Sequence, residues 1–202
     1  YDTPLIKDER LTIADYLKGK GYKTGIVGKW HLGLGFKESE NKNAAKFDLT
    51  KTLYSSPNNN GFDYSFIHPA SLDFEPYVYV KNYEVVDTEF DSVPETVFPI
   101  QIRKGIKSKS LKFDEVQDDL LAEALGFIER ESKSSNPFFL YFPLTAPHVP
   151  LVPSEKFKGT SDKGLYGDFT IQIDWTAGEV FKLLEQLNIK ENTLVIFTSD
   201  NG

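Results

Sequence analysis

Gly21-Tyr22-Lys23-Thr24-Gly25-Ile26-Val27-Gly28-Lys29-Trp30-His31 is the stretch whose reading decides the fold. Residues 22–27 suit a short buried strand, and the polar cluster Gly28-Lys29-Trp30-His31 closes it. Ahead of it, Thr12 is placed to cap a helix whose Ile13, Ala14 and Leu17 recur at helical spacing, with Gly19 and Gly21 to end it. The same order of helix, turn, apolar strand and polar cluster returns twice. Val116, Leu120, Leu121, Ala124, Leu125 and Ile128 form a helical stripe, followed by a strand at 138–142 and by Thr145-Ala146-Pro147-His148. Phe169, Ile173, Thr176, Val180, Leu183, Leu184 and Leu187 line a third helix, followed by a strand at 193–198 and by Ser199-Asp200-Asn201-Gly202.

Helices alternating with wholly apolar strands predict an α/β fold, a mostly parallel sheet with helices on both faces. Right-handed crossovers put the C-terminal ends of such strands on one edge of the sheet, where ligands of open α/β folds bind. The three polar clusters are therefore expected to converge. Between the first two units, about residues 36–112, lies a long insertion. Residues 77–80 and 83–86 around a turn at Lys81-Asn82 predict a β-hairpin within it.

The 202 residues fit one domain or most of a larger one, with 40% hydrophobic and 26% charged residues. No apolar run is long enough to cross a bilayer. The net charge of -7 argues against a nucleic-acid surface, and the one basic run, 103–112, reads as a solvated loop. There is no cysteine, which excludes disulfides and thiolate metal sites within these residues. There is no methionine either, and the chain closes on Asp-Asn-Gly, so it reads as an excerpt of a longer polypeptide.

Asp200 and Asn201 at a strand end offer hard oxygen donors, suited to Ca²⁺ or Mg²⁺. Taken alone, Asp-Asn-Gly reads more often as a turn after a strand. Lys29 and His31, two apart in an extended segment, point to one side and would flank an anion, with the imidazole able to pass a proton. Read singly, the pair is an exposed lysine and a hydrogen-bonded histidine. His148 sits between Pro147 and Pro150 in a stiff loop, which suits a catalytic histidine and a packed turn histidine alike. His68, beside Pro69, has the weakest claim of the three histidines. The joint placement of Lys29, His31, His148 and the Asp-Asn pair at strand ends carries more than any one of them.

Residues 21–33, together with Gly61-Phe62-Asp63-Tyr64, Ala146-Pro147-His148 and residues 197–202, resemble the sulfatases of the alkaline-phosphatase-like superfamily, in the same order and over essentially the whole chain. The resemblance implies a hydrolase of sulfuric esters. Asp200 and Asn201 would be two of four ligands of a divalent cation, usually Ca²⁺ and less often Mg²⁺. Lys29 would contact the sulfate and help stabilise the nucleophile. His31 would assist turnover of a covalent sulfate intermediate, and His148 would bind sulfate or protonate the leaving oxygen. The nucleophile would be a formylglycine made from Cys or Ser in a Cys/Ser-x-Pro-x-Arg motif. Pro69-Ala70-Ser71-Leu72-Asp73 and Pro76-Tyr77-Val78-Tyr79 resemble an insertion of sulfatases thought to act on sulfated sugars, which makes Asp73 or Tyr77 a candidate pocket residue. A structural turn and hairpin account for them equally well. The implied partner is a small-molecule or glycan sulfate ester, and family habit points to periplasm, secretion or lysosome.

The nucleophile motif, two further aspartates and a later lysine of the family are not found in these residues. The alternatives are a phosphoester hydrolase of the same superfamily and a sulfatase-like binding protein without catalysis. The 202-residue chain by itself is expected not to turn over substrate. Sulfate release from an aryl sulfate by that chain would contradict this.

Overall fold

The computed structural model describes residues 3–7, 9–40 and 46–199. In chain order the regular elements are α1 (Ile13–Lys18), β1 (Lys23–Lys29), β2 (Tyr64–His68), β3 (Val80–Lys81), β4 (Glu84–Val85), β5 (Phe90–Val93), β6 (Gly105–Ser108), α2 (Val116–Glu131), β7 (Phe138–Tyr141) and α3 (Gly164–Gln186).

Local chemistry starts α1 as expected. The Thr12 hydroxyl accepts from the Asp15 amide at 3.1 Å, and the Asp15 carboxylate accepts from the Thr12 amide at 3.0 Å. This reciprocal cap satisfies two amides that a helix start leaves without partners. The Thr12 hydroxyl also lies 2.8 Å from the Asn60 carbonyl, which ties the helix to a loop far along the chain.

The main sheet runs β4-β3-β2-β1-β7. β1 is its middle parallel strand, with Lys29 opposite His68 of β2 on one side and Lys23 opposite Phe138 of β7 on the other. The β3–β4 hairpin adds to β2 antiparallel. Side chains alternate across β1 and β2, so Ile26 and Ile67 pack with Ala14 of α1. Val27 and Phe66 face the other way, onto Val116, Leu120 and Ala124 of α2. Leu183 and Leu184 of α3 meet Ile128, with Phe138 and Leu140 against them. Helices thus cover both faces of a mainly parallel sheet. Burying each Ile or Val fully, as at Ile26, Val27 and Ile67, contributes about 1.5–3 kcal/mol.

Three details differ from the sequence reading. The hairpin turns at Asn82-Tyr83, not at Lys81-Asn82. Asn82 takes the left-handed conformation (φ 55), which asparagine tolerates, and its side-chain oxygen accepts from the Ser65 amide at 3.0 Å. The basic run is not simply a solvated loop, because its middle forms β6 against β5, and Lys107 Nζ turns back to the Ser108 and Leu111 carbonyls. Residues 193–199 form no strand. Leu194, Ile196 and Phe197 are 86%, 77% and 70% exposed. An apolar run becomes a strand only when a neighbour takes its backbone hydrogen bonds, and no described strand pairs with this one. A feature not foreseen is β2, a parallel strand of the central sheet that arises within the 36–112 stretch.

Gly25 lets α2 approach the sheet, since a Cβ there would stand 2.4 Å from Cε2 of Phe127. Gly25→Ala is expected to destabilise by about 1–3 kcal/mol in chemical denaturation. Phe127→Leu in the same chain is expected to restore part of that loss. Additive losses in the double variant would show that this approach does not set the packing.

Candidate active site

The site grows from the point where β1 ends. Gly28 has φ 134, and a Cβ there would fall 2.0 Å from the Pro143 carbonyl oxygen. That oxygen accepts from the Lys29 amide at 2.8 Å. Only glycine permits both the backbone angle and the approach. Beyond the ladder, the Trp30 amide donates to the His68 carbonyl and the His31 amide to the Pro69 carbonyl, each at 3.0 Å. Trp30 is buried and its indole donates to the Gly33 carbonyl at 2.8 Å. The ends of β1, β2 and the segment after β7 are thereby fastened together.

His31 is not in extended backbone, as the alternation argument for Lys29 and His31 assumed. Its φ is 55, a left-handed residue held by the Pro69 carbonyl. It nonetheless shares the site. Burial depresses its pKa most, the Lys29 ammonium and the His148 imidazole depress it further, and the Asp73 carboxylate opposes them. Four of the charges singled out in the sequence therefore act on one another here. The His31 ring also lies against Phe74, centroids 5.9 Å apart.

Asp73 is buried, with Arg103 Nε 3.6 Å from Oδ2 and His148 Nδ1 3.8 Å from Oδ1. His148 Nδ1 stands 2.7 Å from the Val149 carbonyl. A carbonyl only accepts, so Nδ1 carries a proton and Nε2 is left for other chemistry. The peptide bonds before Pro147 and Pro150 are both cis, and the Leu151 amide donates to the Pro99 carbonyl at 3.1 Å. Asp73 thus stands with Lys29, His31 and His148. Tyr77 does not line the site. It is wholly buried, and its hydroxyl lies 3.0 Å from the Asp73 carbonyl and 2.7 Å from the Arg103 carbonyl, a brace beneath both residues.

Two neighbours were not proposed as site residues from the sequence. His68, given the weakest claim, is fully buried at the end of β2, opposite Lys29. Its Nδ1 lies 3.0 Å from the Ala70 carbonyl and so donates to it, and burial pushes its pKa down to about 4. Arg103 lies within the basic run, and no spacing set it apart from the lysines around it. Its guanidinium carbon sits 3.8 Å from the centre of the Phe74 ring. Asp200 and Asn201 lie outside the described residues. Among the described residues no group of three or more His, Cys, Asp or Glu is arranged to hold a metal ion.

A family model described as Sulfatase matches residues 1–202. The chain belongs to the sulfatase family. An N-acetylgalactosamine-6-O-sulfatase of Bacteroides thetaiotaomicron is 37% identical over 95% of this chain and 42% of that protein. The human N-acetylgalactosamine-6-sulfatase is 34% identical over 98% of this chain and 33% of that protein. The chain therefore spans less than half the length of these relatives. A solved Bacteroides thetaiotaomicron structure, described under the metabolism of multiple glycosaminoglycans, superposes with a TM-score of 0.85 at 32% identity, covering 100% of this chain and 47% of that one. A Pseudoalteromonas sulfatase shares the fold, with a TM-score of 0.69 at 22% identity over 100% of this chain and 40% of that one. Sulfatases belong to the alkaline-phosphatase-like superfamily, and the sheet described above is consistent with part of that fold. No helix among the described residues is long and apolar enough to cross a membrane.

The buried His68 makes stability depend on pH. The unfolded chain takes up a proton near the ordinary value of 6.5, whereas the folded chain resists until about pH 4. Stability from this group is complete above about 6.5 and falls as pH drops toward 4, by on the order of 3 kcal/mol. His68→Gln is expected to flatten that part of the denaturation free energy against pH. An unchanged slope in the variant would contradict this.

Proposed function

We propose that the protein containing this chain hydrolyses sulfate esters of sulfated sugars, and that Lys29, His31 and His148 face the sulfate group. The observation that carries this reading is the meeting of Lys29, His31, His148 and Asp73 at the C-terminal edge of the sheet, in a chain of the sulfatase family. The names of its relatives favour a 6-O-sulfated N-acetylgalactosamine as the sugar.

Lys29 ends β1 with its backbone amide bound by Pro143, and its ammonium is the proposed point charge for sulfate oxygens. With Nδ1 committed to the Val149 carbonyl, protonated His148 donates from Nε2 to the departing sugar oxygen. The buried Asp73 carboxylate stands 3.8 Å from Nδ1 of that side chain. His31, held toward its neutral form by burial and by Lys29, is suited to accept a proton. Asp200 and Asn201 are the proposed protein donors to a cation, and hard oxygen donors suit Ca²⁺ better than a softer metal. Such a cation, when bound, neutralises charge on the sulfate. The attacking group is proposed to be a formylglycine supplied by a residue outside these 202.

The test is sulfate release from 6-O-sulfated N-acetylgalactosamine by the protein that carries this chain together with its nucleophile. Lys29→Ala and His148→Ala are each expected to lower kcat/KM by about 10²–10⁴-fold, with an unaltered circular dichroism spectrum. Undiminished turnover in either variant, or a preference for phosphate esters over sulfate esters, would contradict the proposal.

A further inference from the structure

We infer that Arg103 recognises an anionic group on the sugar next to the one that bears the scissile sulfate. The inference rests on the sulfated-sugar reading above and names what lies beyond its reacting centre.

Arg103 stands at the rim of the site with its side chain 56% exposed. It is nevertheless fixed on three sides. The guanidinium lies flat enough over Phe74 to bring its carbon within 3.8 Å of the ring centre. Its Nε is 3.6 Å from the buried Asp73 carboxylate, and its backbone amide donates to the Asp73 carbonyl at 3.2 Å. Among the described residues its two terminal amino groups make no hydrogen bond. A guanidinium held at Nε and across one face presents those two groups as a fork, the shape that binds a carboxylate or a sulfate in two parallel bonds.

Its place relative to the chemistry is set by short steps. Phe74 lies 5.9 Å from the His31 ring, and Arg103 lies on Phe74. Asp73 links Arg103 to His148. The guanidinium is thus beside the sulfate-facing residues, linked to them through Asp73 and Phe74. The loop leading into Arg103 carries Phe98, 69% exposed, and touches the His148 loop through the Leu151 amide and the Pro99 carbonyl. An exposed aromatic ring on the loop that leads into a cationic fork suits an anionic sugar, whose ring packs and whose charged group pairs. In a chain of net charge -7, a substrate with a second negative charge needs such a local cation to offset repulsion.

The experiment compares three disaccharides with the same sulfated sugar and a neighbour that is neutral, carries a carboxylate or carries a second sulfate. The wild-type full-length protein is expected to prefer an anionic neighbour, and the two anionic arms tell carboxylate from sulfate. Arg103→Gln is expected to lose about tenfold or more in kcat/KM on the preferred anionic substrate and much less on the neutral one. Arg103→Lys is expected to recover part of the preference, because it keeps the charge and loses the fork. Lys109→Gln, an exposed charge paired with Glu89, is expected to retain it. Equal losses on neutral and anionic substrates would mean that Arg103 only holds Asp73, and would overturn the inference, as would a wild-type protein with no anionic preference. If no sulfate ester is turned over, the sulfatase reading fails, and calorimetric binding of the same three sugars decides the inference alone. Tighter binding of an anionic sugar that Arg103→Gln abolishes supports it, and its absence overturns it.

Discussion

The site depends on a missing side chain. At Gly28 the Pro143 carbonyl occupies the volume a Cβ would need, and from there it takes the Lys29 amide hydrogen. This contact joins the end of β1 to the segment that follows β7, which leads on to His148. On its other side β1 is joined to β2 by the Lys29–His68 register and by the amides of Trp30 and His31 on the carbonyls of His68 and Pro69. Three remote stretches of chain therefore end at one place. Parallel pairing supplies the shared edge, and the glycine supplies the closeness.

Electrostatics explains why that edge suits an anion although the whole chain is negative. Arg103 and His148 stand against a single buried acid, Asp73, and Lys29 and His31 share the same edge. A carboxylate removed from water is stabilised only by nearby positive charge and hydrogen bonds, so Asp73 draws Arg103 and His148 toward it. Tyr77, wholly buried, braces the backbone of Asp73 and Arg103 from below. Burial of His31 and His68 works in the opposite sense and favours their neutral forms. The result is one edge carrying the cations Lys29 and Arg103 together with two imidazoles, His31 and His68, that resist protonation.

Much of this was legible in the sequence where the signal was periodic or local. The Thr12 cap, the apolar stripes of α2 and α3, the strand at β1 and the polar clusters after β1 and β7 all follow from spacing that geometry must honour. β2 was hidden because Tyr64–His68 is short and lies among turn residues, and only pairing with β1 identifies it. The 193–198 run has the composition of a strand but no described partner, so composition alone misled there. The places of His68, noted only as the weakest candidate, and of Arg103 were not legible for a related reason. One is set apart by complete burial and the other by an aromatic ring and a buried acid far along the chain, and neither leaves a mark in local sequence.

The most direct measurement is a crystal structure of the full-length protein holding an uncleaved sulfated sugar. The account predicts the sulfate group within hydrogen-bonding reach of Lys29 Nζ and of the His148 imidazole, with His31 beside it. A sulfate bound elsewhere, or Lys29 and His148 directed to separate surfaces, would contradict it.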